Sequence, residues 1–247
     1  MSPTSCQLLY PASIYLSTLN KIVILVNRLF ALYYLAMDAN EKKAIHIRVK
    51  SIISNLEKNN FRATYVETKE EALTLVKTII APSSYTASGG SMTLIDCGIM
   101  DYLKKETDYH EDRRDAYRAQ YYLASANAIT DSGEIYEVDG RSNRISAIAF
   151  GPENVILVVG INKIVPSLRS AIERVKNIAA PSNAIRLCRD TPCTKLGHCI
   201  SPLCSPDRIS AEGCYSEECI CSSQLILRKQ TEKNRITVII VGEKLGY

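Results

Sequence analysis

Two apolar runs rich in β-branched residues, VILVVG at 155–160 and ITVIIVG at 236–242, constrain the fold of this chain most. A strand without polar alternation has both faces covered, as a central strand of a parallel sheet does between layers of helix. Amphipathic segments alternate with such runs. Ala44, Ile47, Val49, Ile52, Ile53 and Leu56 recur at helical spacing over 40–59, and FRATYVE (61–67) alternates as a strand. Thr68, with Glu71 three residues on, starts a helix that Pro82 stops. SYTASGGS (84–91) reads as a strand entering a glycine turn, and SMTLIDCG opens a helix that continues or restarts over 98–105. AYRAQYYLAS (116–125) is predicted helical, NAIT, EIYEVD and RISAIAF are predicted as short strands, and a helix is expected over 166–178. The alternation predicts an α/β fold. It has an open, mostly parallel sheet with helices on both faces and an antiparallel or mixed addition from 127–150.

A chain of 247 residues, 46% of them hydrophobic, can bury one large core. Its net charge of +4 is interspersed, with no Lys/Arg block, so nucleic acid is not an expected partner. The apolar run at 22–36, IVILVNRLFALYYLA, is broken by Asn27 and Arg28 and is shorter than the ~20 residues of a span. Membrane contact is therefore not expected. Residues 1–36 read as an extension outside the fold, and 37–247 as the α/β domain.

Seven of the nine cysteines lie between Cys188 and Cys221. A secreted disulfide scaffold would be shorter and would spread its thiols, so a reducing cytoplasm is the expected compartment. Gathered thiols suit zinc or an iron–sulfur cluster. No C-x-x-C pair is present. The candidate ligands are Cys193, Cys199, Cys204 and Cys221, the first three flanking Pro/Gly turns, with His198 adjacent to Cys199. Redox thiols, and a surface loop that binds nothing, remain open.

Three further groups suggest a ligand site. Ser88, Gly89, Gly90 and Ser91 stand at a strand-to-helix corner, where backbone N–H groups, the helix start and the Ser91 and Thr93 hydroxyls would receive a phosphate or carboxylate. A plain tight turn is the simpler reading. Asn127, Asp131, Glu134, Asp139, Arg141, Asn143 and Arg144 sit in loops around short strands. Turn chemistry explains most of them, and Asn143 and Arg144 are the ones expected to bind ligand. Asn162 and Lys163 follow the apolar strand 155–160, and a lysine there points toward the crevice at the strand ends. A small anionic metabolite is the expected ligand.

The strings SGGSMTL, ANAITDSGEIYEVDGRSNR, FGPENVILVVGINKIV, AAPSNAIRL, TPCTKLGHC, SPDRI and GEKLGY resemble the short form of the LUD-domain (lactate-utilization) family, in order over about 40–247. The resemblance implies a fold like ribose-5-phosphate isomerase, glucosamine-6-phosphate deaminase and the CoA-transferases. It also implies a link to lactate or related 2-hydroxy-acid oxidation, an iron–sulfur centre and an electron-transfer protein as partner. In one place the chain departs from the pattern. Ser210 stands where a cysteine follows SPDRI, and AEGCYSEECIC intervenes, so either Cys219 or Cys221 takes the expected place. Two other functions fit the residues. One is an isomerase or CoA-transferase using Glu134 or Asp96, with a structural Cys loop. The other is a zinc-stabilised module that catalyses nothing.

Overall fold

The computed structural model describes residues 38–201 and 213–247. The chain divides into two compact units, Met1–Ile47 and Arg48–Tyr247. Of the first, residues 38–47 are described; they hold the start of helix α1, Ala39–Lys58. The expected boundary at 36/37 falls outside the described residues. The described residues from Arg48 on belong to the second unit.

Along the chain follow β1 (Arg62–Val66), α2 (Lys69–Ile79), β2 (Tyr85–Ser88), α3 (Met92–Asp96), α4 (Ile99–Glu106), β3 (Asp108–His110), β4 (Tyr121–Ala124), β5 (Ala128–Thr130) and β6 (Ile135–Asp139). Then come α5 (Asn143–Ala149), β7 (Asn154–Gly160), β8 (Ile164–Val165), α6 (Leu168–Arg174), α7 (Ala180–Arg186), α8 (Pro192–Leu196), β9 (Ser223–Leu227) and β10 (Ile236–Val241). Six strands form an open sheet in the order β1-β10-β7-β4-β2-β3, every neighbour pair parallel. The two apolar runs are the adjacent strands β7 and β10, Val155 opposite Ile236, and both are buried from 155 to 160 and from 236 to 241. Ala72 and Val76 of α2, Leu94 of α3, and Ile99 and Leu103 of α4 pack with Leu123, Ile156, Val158, Ile239 and Val241 of the sheet. The sheet is thus flanked by helices, as the fully apolar strands require. A second, mixed sheet runs β8-β5-β6-β9, with β5 antiparallel to β6 and parallel to β8. Among the described residues no helix is long and apolar enough to cross a membrane.

The local expectations hold where burial is written directly in the residues. Thr68 caps α2, its side chain accepting from Glu71 N–H at 3.2 Å. Glu71 reaches back to Glu67 N–H at 2.8 Å, one residue beyond the usual capping-box partner. Three expectations are corrected. AYRAQYYLAS is not a helix; it is a 3₁₀ turn, Asp115–Arg118, followed by β4. Tyr122, Leu123 and Ala124 are buried because β4 lies between β2 and β7, and that position overrides the helix propensity of Ala and Leu. RISAIAF is helix α5, not a strand. Its first turn is capped from outside: Asp139 Oδ2 accepts Arg144 N–H at 2.7 Å and Ile145 N–H at 3.4 Å. The helix expected over 166–178 begins after Ser167, widens to a π-turn at Val175–Ala179 and continues as α7. Pro181 lacks the N–H that a regular helix would use there.

The β5–β6 hairpin turn docks on α1. Asn55 Nδ2 donates to Asp131 O at 2.9 Å, Asn59 Nδ2 to Ser132 O at 3.1 Å, and Arg48 pairs with Asp131 at 2.8 Å. Gly133 adopts φ +80°, and a Cβ there would meet Leu56 N at 2.8 Å. Gly133→Ala is therefore expected to destabilise the domain by about 2 kcal/mol in urea unfolding, from the left-handed backbone and the close approach together.

Candidate functional site

A crevice of about 370 Å³ opens where β2, β4 and β7 end. Ser88, Gly90 and Ser91 line it after β2, Ser125 and Asn127 after β4, and Lys163 after β7. Asp139, Gly140, Arg141, Asn143 and Arg144, from the end of β6 into α5, form a second wall. The π-turn and α7 supply a third through Val175, Ala179, Asn183 and Arg186. Ligand crevices of open parallel sheets lie at the carboxyl ends of the strands.

Lys163 sits in the 3₁₀ turn Ile161–Lys163 that follows β7. It is 3% exposed, and its ammonium donates to Thr93 Oγ1 at 2.9 Å and Ser125 Oγ at 3.0 Å. Burial first, then the nearby Arg174 and Arg144 charges, bring its pKa down to about 7, against the pull of Glu137 and Asp96. Glu137 of β6 is completely buried. Arg144 Nη2 lies 3.1 Å from Glu137 Oε2, but it directs hydrogen bonds to Val138 O at 2.7 Å and Asn127 Oδ1 at 2.9 Å. The pair has charge attraction without an aligned hydrogen bond, and neither Glu137 oxygen meets a well-placed donor. Burial pushes Glu137 up to about 7, although Arg144, Lys163 and an Asn127 backbone contact favour its ionised form. A buried acid and a buried base thus titrate near neutrality beside one cavity.

The sequence-based candidates divide into lining residues and supports. Ser88, Gly90, Ser91, Asn127, Asn143, Arg144 and Lys163 line the crevice. Gly89 is what lets Arg144 come close: a Cβ there would stand 2.8 Å from Arg144 Cγ and 2.7 Å from Tyr122 Oη. Ser91 caps α3, accepting Leu94 N–H at 3.3 Å, and α3 is only five residues long, so its dipole adds little to the corner. Thr93 serves Lys163 and also donates to Leu245 O at 3.3 Å. Asn162 lies off the cavity and holds the C-terminal segment, its Oδ1 accepting Leu245 N–H at 3.0 Å and its Nδ2 donating to Gly246 O at 3.2 Å. Asn127 is gripped from both sides, by Arg144 at its Oδ1 and by Arg174 Nη1 at its carbonyl, 2.7 Å. Glu134 belongs to the hairpin turn, where its carboxylate accepts from Thr130 at 3.1 Å and Ser132 at 3.2 Å. Glu137, Arg113, Arg186 and Arg189 were not anticipated. For Glu137 one signal exists: in EIYEVD, a period of two places it on the same face as Asp139, and it stands as a charge in mid-strand between the apolar Tyr136 and Val138.

Cys221 lines the crevice, and burial pushes its thiol up to about 12, with Cys219, Cys199, Cys193 and Cys214 as electrostatic neighbours. Five thiols therefore gather on one flank, and Cys204 lies outside the described residues. All seven described cysteines are free thiols. Their chemistry suits a soft metal. Among the described residues, however, no three Cys, His or carboxylate groups converge as a metal-holding set.

Fold and crevice define an α/β protein with an open parallel sheet and a basic site at its strand ends. The chain belongs to the LUD-domain family, which it matches over residues 49–241. Among solved structures it is similar to a DUF162-family protein from Deinococcus radiodurans, at 16% identity over 81% of this chain and 98% of that one, with a TM-score of 0.46. No curated protein matches it.

Proposed function

We propose that the crevice binds a small carboxylate- or phosphate-bearing metabolite, and that the substrate is lactate or a related 2-hydroxy acid. The supporting observation is charge. Arg113, Arg141, Arg144, Arg186, Arg189 and Lys163 line the crevice, opposed among the described lining residues by Glu111 and Asp139. Cations around one concavity concentrate anions, and guanidinium forks match carboxylates. The lactate part rests on the family name, lactate utilization. Oxidising a 2-hydroxy acid releases two electrons, so an electron-transfer protein is the partner this reading calls for, in a reducing cytoplasm. An isomerase or CoA-transferase would need an accessible carboxylate. Glu137 is buried, Glu134 is held in a turn, Asp96 Oδ2 accepts Gly246 N–H at 2.9 Å, and of the two carboxylates lining the crevice Asp139 caps α5 and Glu111 pairs with Lys104 at 2.7 Å, which ranks that function second.

Calorimetric titration of lactate and of pyruvate into the full chain tests the binding. Affinity is expected to fall with added salt. Gly90→Val should keep the fold, since nothing lies within 4 Å of its Cβ position, while its isopropyl group fills part of the crevice. A loss of about tenfold in affinity, ~1.4 kcal/mol, is expected. A folded Gly90→Val protein that binds as tightly as the parent would remove the glycine corner from the site.

The gathered thiols support a second, separate part of the reading, a zinc or iron–sulfur centre held by Cys193, Cys199, Cys204 and Cys221. Oxygen-free purification with elemental analysis and a visible spectrum tests it. Colourless, metal-free protein with every thiol alkylatable ends it.

A further inference from the structure

We infer that Lys163 is a nucleophile whose amine condenses with the carbonyl carbon of a bound 2-oxo acid to form an imine. This rests on the crevice being an anion site. A buried lysine that only supports a fold is normally paired with a carboxylate. Lys163 is not: among the described residues no carboxylate lies within ion-pair distance, and its two partners are the neutral hydroxyls of Thr93 and Ser125. It lines the cavity nevertheless.

Ser125 fixes the geometry. Its hydroxyl accepts from Lys163 Nζ at 3.0 Å, and its carbonyl accepts from Arg144 Nη1 at 3.2 Å. An amine and a guanidinium are therefore held on the same residue. A 2-oxo acid has the matching pattern, a carboxylate for the arginine directly bonded to a ketone carbon for the amine. In the step, the nitrogen lone pair attacks the carbonyl carbon. The carbonyl oxygen takes up both amine protons and leaves as water, and a C=N bond replaces C=O; no oxidant or reductant is needed. The product of oxidising a 2-hydroxy acid is itself a 2-oxo acid, so the site would hold either partner of that conversion.

The reactive form is the neutral amine. Four charged groups act on Lys163: Arg174 of α6 and Arg144 of α5 disfavour its protonation, while Glu137 of β6 and Asp96 of α3 favour it. With burial the balance is a pKa of about 7. At neutral pH about half of Lys163 is then neutral, on the order of a thousandfold more than an ordinary lysine.

The test is reductive trapping on the full chain. Pyruvate and sodium borohydride are added at pH 7, and the digested protein is mapped by mass spectrometry. The expected result is a reduced adduct on the peptide carrying Lys163, at least about tenfold above any exposed lysine, suppressed by excess lactate and absent from that peptide in Lys163→Arg. Lys104, on the surface and paired with Glu111 at 2.7 Å, is an internal control. Adduct spread evenly over the lysines, or none at Lys163 in protein that calorimetry shows to bind pyruvate, overturns the imine and leaves the crevice reading standing. Absence of pyruvate binding overturns both.

Discussion

Arg144→Met is expected to lower the stability of the domain by about 3–5 kcal/mol and to abolish anion binding. Its guanidinium is the cation 3.1 Å from the fully buried Glu137, and it also donates to Ser125 O at 3.2 Å, Val138 O at 2.7 Å and Asn127 Oδ1 at 2.9 Å. Methionine fills the volume but supplies none of these bonds. Two carbonyls lose a donor, and Glu137 loses its nearest countercharge. Removing one member of a buried pair leaves an uncompensated charge, which costs more than the pair itself contributes. The double variant Arg144→Met/Glu137→Gln separates the two effects. If the buried charge dominates, the double variant should recover about half of the lost stability in urea unfolding while anion binding stays absent. A single variant as stable as the parent would mean that the guanidinium neither supports Glu137 nor closes the crevice wall.

What the sequence discloses follows how burial is encoded. β7 and β10 are legible because both faces of each are covered, and that demands an unbroken apolar run. Lys163 is legible because it follows such a run, and the end of a central strand has one destination in an open sheet. β4 is not. AYRAQYYLAS satisfies a helical period as well as a strand, and only its place between β2 and β7 decides. α5 is hidden for another reason. Ser142, at its N-cap position, makes no side-chain cap, and the carboxylate that does the capping, Asp139, belongs to the preceding strand. Much of the basic rim had no local signature. Arg113 comes from the loop after β3, and Arg186 and Arg189 from the end of α7, and each reads alone as a solvated charge. Glu137 is visible as an anomaly in a strand, but its raised pKa comes from complete burial, which only the packed fold supplies, with Arg144 and Lys163 opposing the rise.

Glu137→Gln is expected to remove a fall in stability between pH 4.5 and 7 that the parent shows. Burial raises the Glu137 pKa from 4.5 to about 7. Between those values the folded chain keeps a proton that the unfolded chain has released. Stability is then fully present below pH 4.5 and is lost as pH rises toward 7, by about 2–4 kcal/mol. Lys163 has the opposite window. Its pKa falls from 10.5 to about 7, so the unfolded chain holds the extra proton. Its contribution is fully present above pH 10.5 and is lost as pH falls toward 7. Together the two groups place a trough in stability near pH 7. Because each favours the charged form of the other, glutamine at 137 also drives the Lys163 pKa lower, and the loss on the alkaline side then extends further toward acid. Urea unfolding of both proteins at pH 4.5, 7 and 10 reads this directly. The curves should meet at pH 4.5, and the variant should be the more stable by about 2–4 kcal/mol at pH 7. A difference that stays constant from pH 4.5 to 7 would show that Glu137 ionises as it would in water, and the buried acid–base pair at the crevice would be lost with it.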